Sequence, residues 1–470
     1  IASGKITPSY QPRQVEKSAP CQGGCANCGD IRGWIGTVAQ RDKIGLSAEE
    51  AYAQAWRIIT DVNPFPATLG RICPHPCEDH CNRSELDEPL AINAMERFLG
   101  DFAIRAGLPL PRRSDAAGSE SIGVVGAGPS GLSFAYQMAR RGYAVTVYDA
   151  RESAGGMLRY GVPDYRLPQD VLNAEIQKIL ERGVELKLGT EVGEDISLED
   201  LRSRHSSLYL GIGAQKGQAL AIPGGDGLGV WTGTEYLARI NRGQSVDLGK
   251  SVIVVGGGNT AVDAARCARR GGADVTILYR RSREEMPAIA HEIDDALEEG
   301  VELVLLAAPV ALERGTDGGL QSVRVQQMEL GEPDASGRRS PVPVEGADFD
   351  LAADAVIMAV SQTPVLRGLE ALDHRGDWLV ADAVGSIGEN IMAGGDALGL
   401  GIAGNAIVQG RRAAEVLHAR LSGEEGGQQD GDARREIHGE DVRFASKPGS
   451  AAVHTPMLPA DERVQMGMRE

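Results

Sequence analysis

No apolar run in this 470-residue sequence approaches the roughly 18 residues that a membrane-spanning helix requires. The opening IASGKITPSYQPRQ also lacks the apolar stretch of a signal peptide. A cytoplasmic protein with no membrane partner is the expectation. Positive charge is scarce as well: 48 Lys and Arg against 66 Asp and Glu leave a net charge of -18. That balance excludes the basic surface a nucleic acid or an anionic membrane would demand, and leaves room for a protein partner with a basic docking face. Beyond Cys81 the only cysteine is Cys267, so no Cys-x-x-Cys pair is available downstream for dithiol chemistry. Six of the seven cysteines fall within the first 81 residues, unlike the disulfide framework of a small secreted domain. Ligation in a reducing compartment fits them better.

Three shifts in composition divide the chain. Residues 1–115 carry the clustered cysteines and read as helical, with amphipathic spacing in SAEEAYAQAWRIIT and ELDEPLAINAMERFLGDFAIRAG, before a linker PLPRRSDAAGSE. From Ser121 strands and helices alternate, in the rhythm of a parallel sheet. The rhythm restarts at KSVIVVGGG, and VELVLLAAPVAL at 301–312 reads as one more buried strand. We assign 116–235 and 352–422 to one nucleotide-binding domain and 236–351 to a second, with 423–470 a polar tail without a core of its own. Such a tail can order against a partner.

The first fingerprint is Gly126-Ala127-Gly128-Pro129-Ser130-Gly131, placed between a strand and a helix. Its glycines allow a tight turn, the approach of a pyrophosphate and close helix packing, and Asp149-Ala150 end the next strand where an acid can hold ribose hydroxyls. Gly155-Gly156-Met157-Leu158 follow, Gly213 lies farther on, and Gly395-Asp396 precede the last long helix. A helix N-cap is a competing and compatible role for Asp396. The second fingerprint runs through Gly256, Gly258, Asn259, Thr260 and Ala261. Its second strand ends in Tyr279-Arg280-Arg281 instead of an acid, which favours the 2'-phosphate of NADP over NAD. Surface or interdomain roles for the two arginines compete with that reading.

Cys21, Cys25 and Cys28 form one group and Cys73, Cys77 and Cys81 another, with Pro20, Pro74 and Pro76 stiffening the backbone between them. Thiolates so arranged suit a 4Fe-4S cluster, and one or two clusters are compatible with six of them. Zinc competes, because His75 and His80 stand nearby. A flavin downstream tips the choice, since it converts between a two-electron hydride and a one-electron cluster. Cys267, at helical spacing in AVDAARCARR, reads as a core thiol.

Together, GxGxxG, the following Gly-Gly and the late Gly-Gly-Asp-Ala resemble the two-dinucleotide-binding-domain flavoproteins, which implies FAD on the first fingerprint and nicotinamide nucleotide on the second. Residues 64–98 and YRRSREEMP at 279–287 resemble the small (β) subunit of glutamate synthase and its relatives, a likeness spanning roughly residues 20–420. The resemblance implies Cys25, Cys73, Cys77 and a non-cysteine ligand, Glu96, on one cluster, leaving Cys21, Cys28 and Cys81 for a second, one ligand short. It also has a gap: PRQVEKSAP stands where those subunits carry a leading Cys-x2-Cys, and Cys28 is extra.

The expectation is therefore an α/β fold of two Rossmann-like domains, for FAD and NAD(P), preceded by a mainly α-helical iron-sulfur domain. The function implied is an NAD(P)H:acceptor oxidoreductase that passes electrons between NAD(P)H, FAD and iron-sulfur centres to other subunits, in a complex such as a 2-oxoacid:acceptor oxidoreductase. A glutamate synthase small subunit, a zinc-stabilised flavin oxidase and a non-catalytic nucleotide-binding scaffold are the alternatives. Direct hydride transfer requires no protein acid or base, so no catalytic dyad is assigned.

Overall fold

A computed structural model describes residues 18–114, 118, 120–335, 337–423 and 456–468. Ser47 caps the helix Ala48–Thr60 and exchanges hydrogen bonds with Glu50, as the amphipathic run there predicts. The second predicted helix begins only at Ile92, because Pro89 removes an amide donor and holds Glu88 out of helical conformation. Trp56, Phe65, Leu69 and Ala103 of this helical block are buried in one core with Ile122, Val124, Leu132 and Phe134 of the next unit. Glu175 reinforces the joint by accepting the Ala67 and Thr68 amides at 2.7 and 2.9 Å.

Six strands form the first sheet, in the order Ser386–Gly388, Ile391–Ala393, Ser207–Leu210, Ser121–Val125, Ala144–Tyr148 and Val184–Lys187. All neighbours are parallel except the first pair. A second, wholly parallel sheet runs Val230–Thr232, Ala355–Met358, Ser251–Val255, Asp274–Tyr279 and Glu302–Leu305. The expected domain edges at 235/236 and 351/352 therefore cut two strands from the second sheet, whose unit runs from Val230 to Met358. Both strands lie beyond the second βαβ repeat, so its rhythm does not announce them.

The single strand predicted over 301–312 is two. Leu306 takes φ +53°, and the chain leaves the parallel sheet to begin Ala307–Arg314, which joins Leu320–Pro333 and Arg339–Ala352 in an antiparallel sheet. Of the proposed tail, 424–455 lie outside the described residues. Residues 456–468 dock on the second unit through the short helix Ala460–Gln465, with Arg463 buried. Among the described residues no helix is long and apolar enough to cross a membrane.

Candidate functional site

Gly126 turns the chain out of its strand at φ +101°, where a Cβ would lie 2.3 Å from the Gly211 carbonyl oxygen. Gly128 then precedes the helix Pro129–Ala139, whose first amides receive no side-chain cap. That leaves them for an anion. Asp149 orders this turn by accepting the Ala127 amide at 2.6 Å and the Arg151 amide at 2.8 Å, while Ala150 is exposed. Gly156, at φ +53°, crosses so near the loop that its Cβ would meet Gly128 Cα at 2.8 Å. Met157 and Leu158 open the short helix Met157–Tyr160, and Leu158 is a core residue there.

The late motif joins the same face. Ser130 Oγ lies 2.6 Å from Tyr209 OH, and Gly395 packs against Ser130. Gly395 also donates its amide to Gln409 at 2.6 Å. Asp396 accepts the Gly401 amide at 3.1 Å, and burial pushes its pKa up to about 6. The structure thus brings Gly126, Gly128, Pro129, Ser130, Gly131, Gly155, Gly156 and Gly395 into one neighbourhood, with two acids retaining acceptor capacity. Gly213 follows the strand Ser207–Leu210 at φ +65°. A phosphate on open amides and hydroxyls on carboxylates is the donor and acceptor pattern that FAD presents.

In the second unit Gly256 and Gly258 lead into the helix Asn259–Arg270, again without a side-chain cap. Asn259 Oδ1 accepts the Ile289 amide at 2.9 Å, Thr260 lies beside Gly233, and Ala261 is buried. The two arginines separate. Arg280 is exposed, with no hydrogen bond or ion pair among the described residues. Arg281 is buried, donates to the Arg339 carbonyl at 2.7 Å and pairs with Asp334 at 2.5 Å. Arg339 begins a strand of the antiparallel sheet and Asp334 lies in the turn before it, so Arg281 is engaged within the protein and only Arg280 of the pair is left exposed.

Cys25, Cys73, Cys77 and Glu96 line a single cavity together with Asn27, Asn63, His75, Ile402 and Gly404. The helix Ile92–Arg105 carries Glu96 into the wall, where Asn63 Nδ2 donates to it at 2.9 Å and desolvation pushes its pKa up to about 7. Burial and the neighbouring sulfur and carboxyl groups push the Cys73 thiol up to about 12 and Cys77 higher still. Amide donors face two of the sulfurs: His75 to Cys73 at 3.4 Å, and Gly29 and Asn27 to Cys25. With thiols this strongly raised the side chains are neutral on their own, and a bound metal centre would be needed to hold them as thiolates. Among the described residues no three His, Cys, Asp or Glu side chains converge as a single ion would need.

Cys21, Cys28 and Cys81 lie outside that cavity. Burial and Cys81 raise the Cys21 thiol to about 11, whereas Cys28 is exposed at φ +50°. Cys267 is a packed core thiol, as its spacing suggested. Asn63 and Asn27 were not singled out from sequence; the Asn63-Pro64 pair before a Pro-led helix was the available signal for the first. Ile402 and Gly404 matter more, because they carry the cavity to the start of the helix Ala403–Ser422 beside Asp396.

Residues 120–410 match the pyridine nucleotide-disulphide oxidoreductase family, and residues 14–108 match the dihydropyrimidine dehydrogenase domain II, 4Fe-4S cluster family. The chain is 39% identical over 436 residues to the NADP(+)-dependent formate dehydrogenase subunit beta of Moorella thermoacetica, covering 86% of this chain and 60% of that one. It thus spans less than two thirds of that relative's length. With the NADPH glutamate synthase small chain of Azospirillum brasilense it shares 33% identity, over 85% of this chain and 86% of the other. Mycobacterium tuberculosis FprA in complex with NADPH has the same fold, with a TM-score of 0.57 at 19% identity, covering 66% of this chain and 86% of that one.

Proposed function

We propose, given that the chain belongs to the pyridine nucleotide-disulphide oxidoreductase family and is an FAD-, NAD(P)- and 4Fe-4S-dependent oxidoreductase, that it is the electron-input subunit of a larger complex. In this reading it takes hydride from NADPH and delivers single electrons to a partner subunit. The observation that carries it is the cavity shared by Cys25, Cys73, Cys77 and Glu96 on one side and Ile402 and Gly404 on the other. When bound, FAD supplies the conversion from one two-electron hydride to two one-electron transfers. The protein's residues do the rest by position: Asp149 and Asp396 hold FAD hydroxyls, the amides after Gly128 and Gly258 hold phosphates, and Arg280 reads the 2'-phosphate.

Cys25, Cys73, Cys77 and Glu96 hold one cluster in this proposal, and Cys21, Cys28 and Cys81 are the set for a second. We place the partner among electron-transfer complexes such as a 2-oxoacid:acceptor oxidoreductase. The absence of the leading Cys-x2-Cys supports that choice over glutamate synthesis. Iron, acid-labile sulfide and FAD per chain, with stopped-flow reduction by NADPH, test the reading. Bleaching of bound flavin followed by slower cluster reduction is expected; a flavin that NADPH does not bleach overturns it.

A further inference from the structure

We propose that Arg411 is a positioning residue that raises the potential of the cluster by fixing the Cys25–Gly29 turn against the helix Ala403–Ser422. The inference rests on Cys25 being a cluster ligand, as proposed above. Arg411 is buried on that helix, where its Nη1 holds Glu415 Oε1 at 2.9 Å and its Nη2 donates to the Asn27 carbonyl at 3.3 Å. The amide of the same peptide unit, Cys28 N–H, closes the turn on the Cys25 carbonyl at 2.9 Å. Inside the turn so fixed, the Asn27 and Gly29 amides face Cys25 Sγ. Amide hydrogen bonds to a ligand sulfur stabilise the more negative, reduced cluster, and a buried guanidinium nearby acts in the same direction.

A second observation ties the turn to the start of the helix Ala403–Ser422. Asn27 is 4% exposed, its Oδ1 has no donor among the described residues, and its Nδ2 lies beside Gly404. A buried acceptor left without a partner is destabilising, so this one can take a donor that the described residues do not supply. The turn therefore presents amides to Cys25 and a side-chain amide to the start of the last helix, with Arg411 as its only described tie to that helix by a charged group.

Redox titration of the holoprotein tests this, following the cluster by electron paramagnetic resonance and the flavin by absorbance. Arg411→Met should shift the flavin-to-cluster electron equilibrium about tenfold against the cluster, a displacement of about 59 mV to more negative potential for a one-electron couple. The flavin midpoint should stay in place, and Arg411→Lys, which keeps the charge, should recover at least half of the shift. A cluster midpoint unchanged in Arg411→Met, or cluster and flavin midpoints that move together, overturns the proposal. Full iron and sulfide content in Cys25→Ala, which leaves no donor atom at that position, would instead defeat the ligation reading beneath it.

Discussion

At the scale of single residues, Arg280 and Arg281 are neighbours in sequence whose side chains go to opposite environments, one to solvent and one into the protein. Only Arg280 retains donors for a ligand phosphate, and a hydrogen bond between charged groups contributes about 1.5–3 kcal/mol. Arg280→Ala should therefore raise the KM for NADPH about tenfold or more and leave that for NADH nearly unchanged, as parallel steady-state kinetics would show. Arg281→Ala should do the reverse. Without its ties to Asp334 and the Arg339 carbonyl the antiparallel sheet loosens, so the melting temperature falls while the NADPH to NADH ratio persists. A large loss of NADPH preference in Arg281→Ala alone would return the phosphate to that residue.

At the scale of elements, the helix Pro66–Ile72 shows how a joint between units acquires a pH dependence. Glu175 reaches across from the helix Gln169–Leu180 to accept its first amides, yet burial outweighs those bonds and pushes the carboxyl up to about 7 from 4.5. The folded protein thus keeps a proton there that the unfolded chain releases above about 4.5, so this group's contribution to stability is largest below that pH and is lost as pH rises toward 7. Glu175→Gln should flatten that part of the profile in urea unfolding followed between pH 4.5 and 7; a profile with its slope intact would refute the assignment. The sequence made both βαβ units legible, because glycines with a fixed task and alternating strands leave local signals. It did not make legible the two strands that complete the second sheet, or the break at Leu306, because partners distant in sequence decide both. The cysteines were readable from sequence as candidate ligands by type. Which three share a cavity with Glu96 depends on how the helix Ile92–Arg105 packs, and residue spacing does not encode that.

At the scale of the whole molecule, residues 456–468, the described end of the C-terminal segment, pack on this chain itself. Arg463, with a side chain 9% exposed, reaches Asp295 at 3.1 Å, Glu298 at 2.5 Å and Glu299 at 3.6 Å, and the Gly467 carbonyl accepts from Arg270 at 2.7 Å. Arg266 and Arg270 share Glu299 and stack on Tyr165, whose neighbour Arg166 enters from the first unit to pair with Asp263 and Glu292. One chain of buried charges therefore runs from the C-terminal segment, through the helix Asn259–Arg270, to the contact between the two nucleotide-binding units. Removing one cation from such a network leaves carboxylates short of a partner, at about 1–3 kcal/mol. Arg463→Met should lower the melting temperature and speed amide exchange in the helix Ala290–Glu298 and in the last turns of Asn259–Arg270. Exchange in the helix Ala48–Thr60, which belongs to a different core, should not change. If protection of Ala290–Glu298 is the same in Arg463→Met as in the parent protein, the segment lies on the second unit without stabilising it, and its charges serve solubility instead.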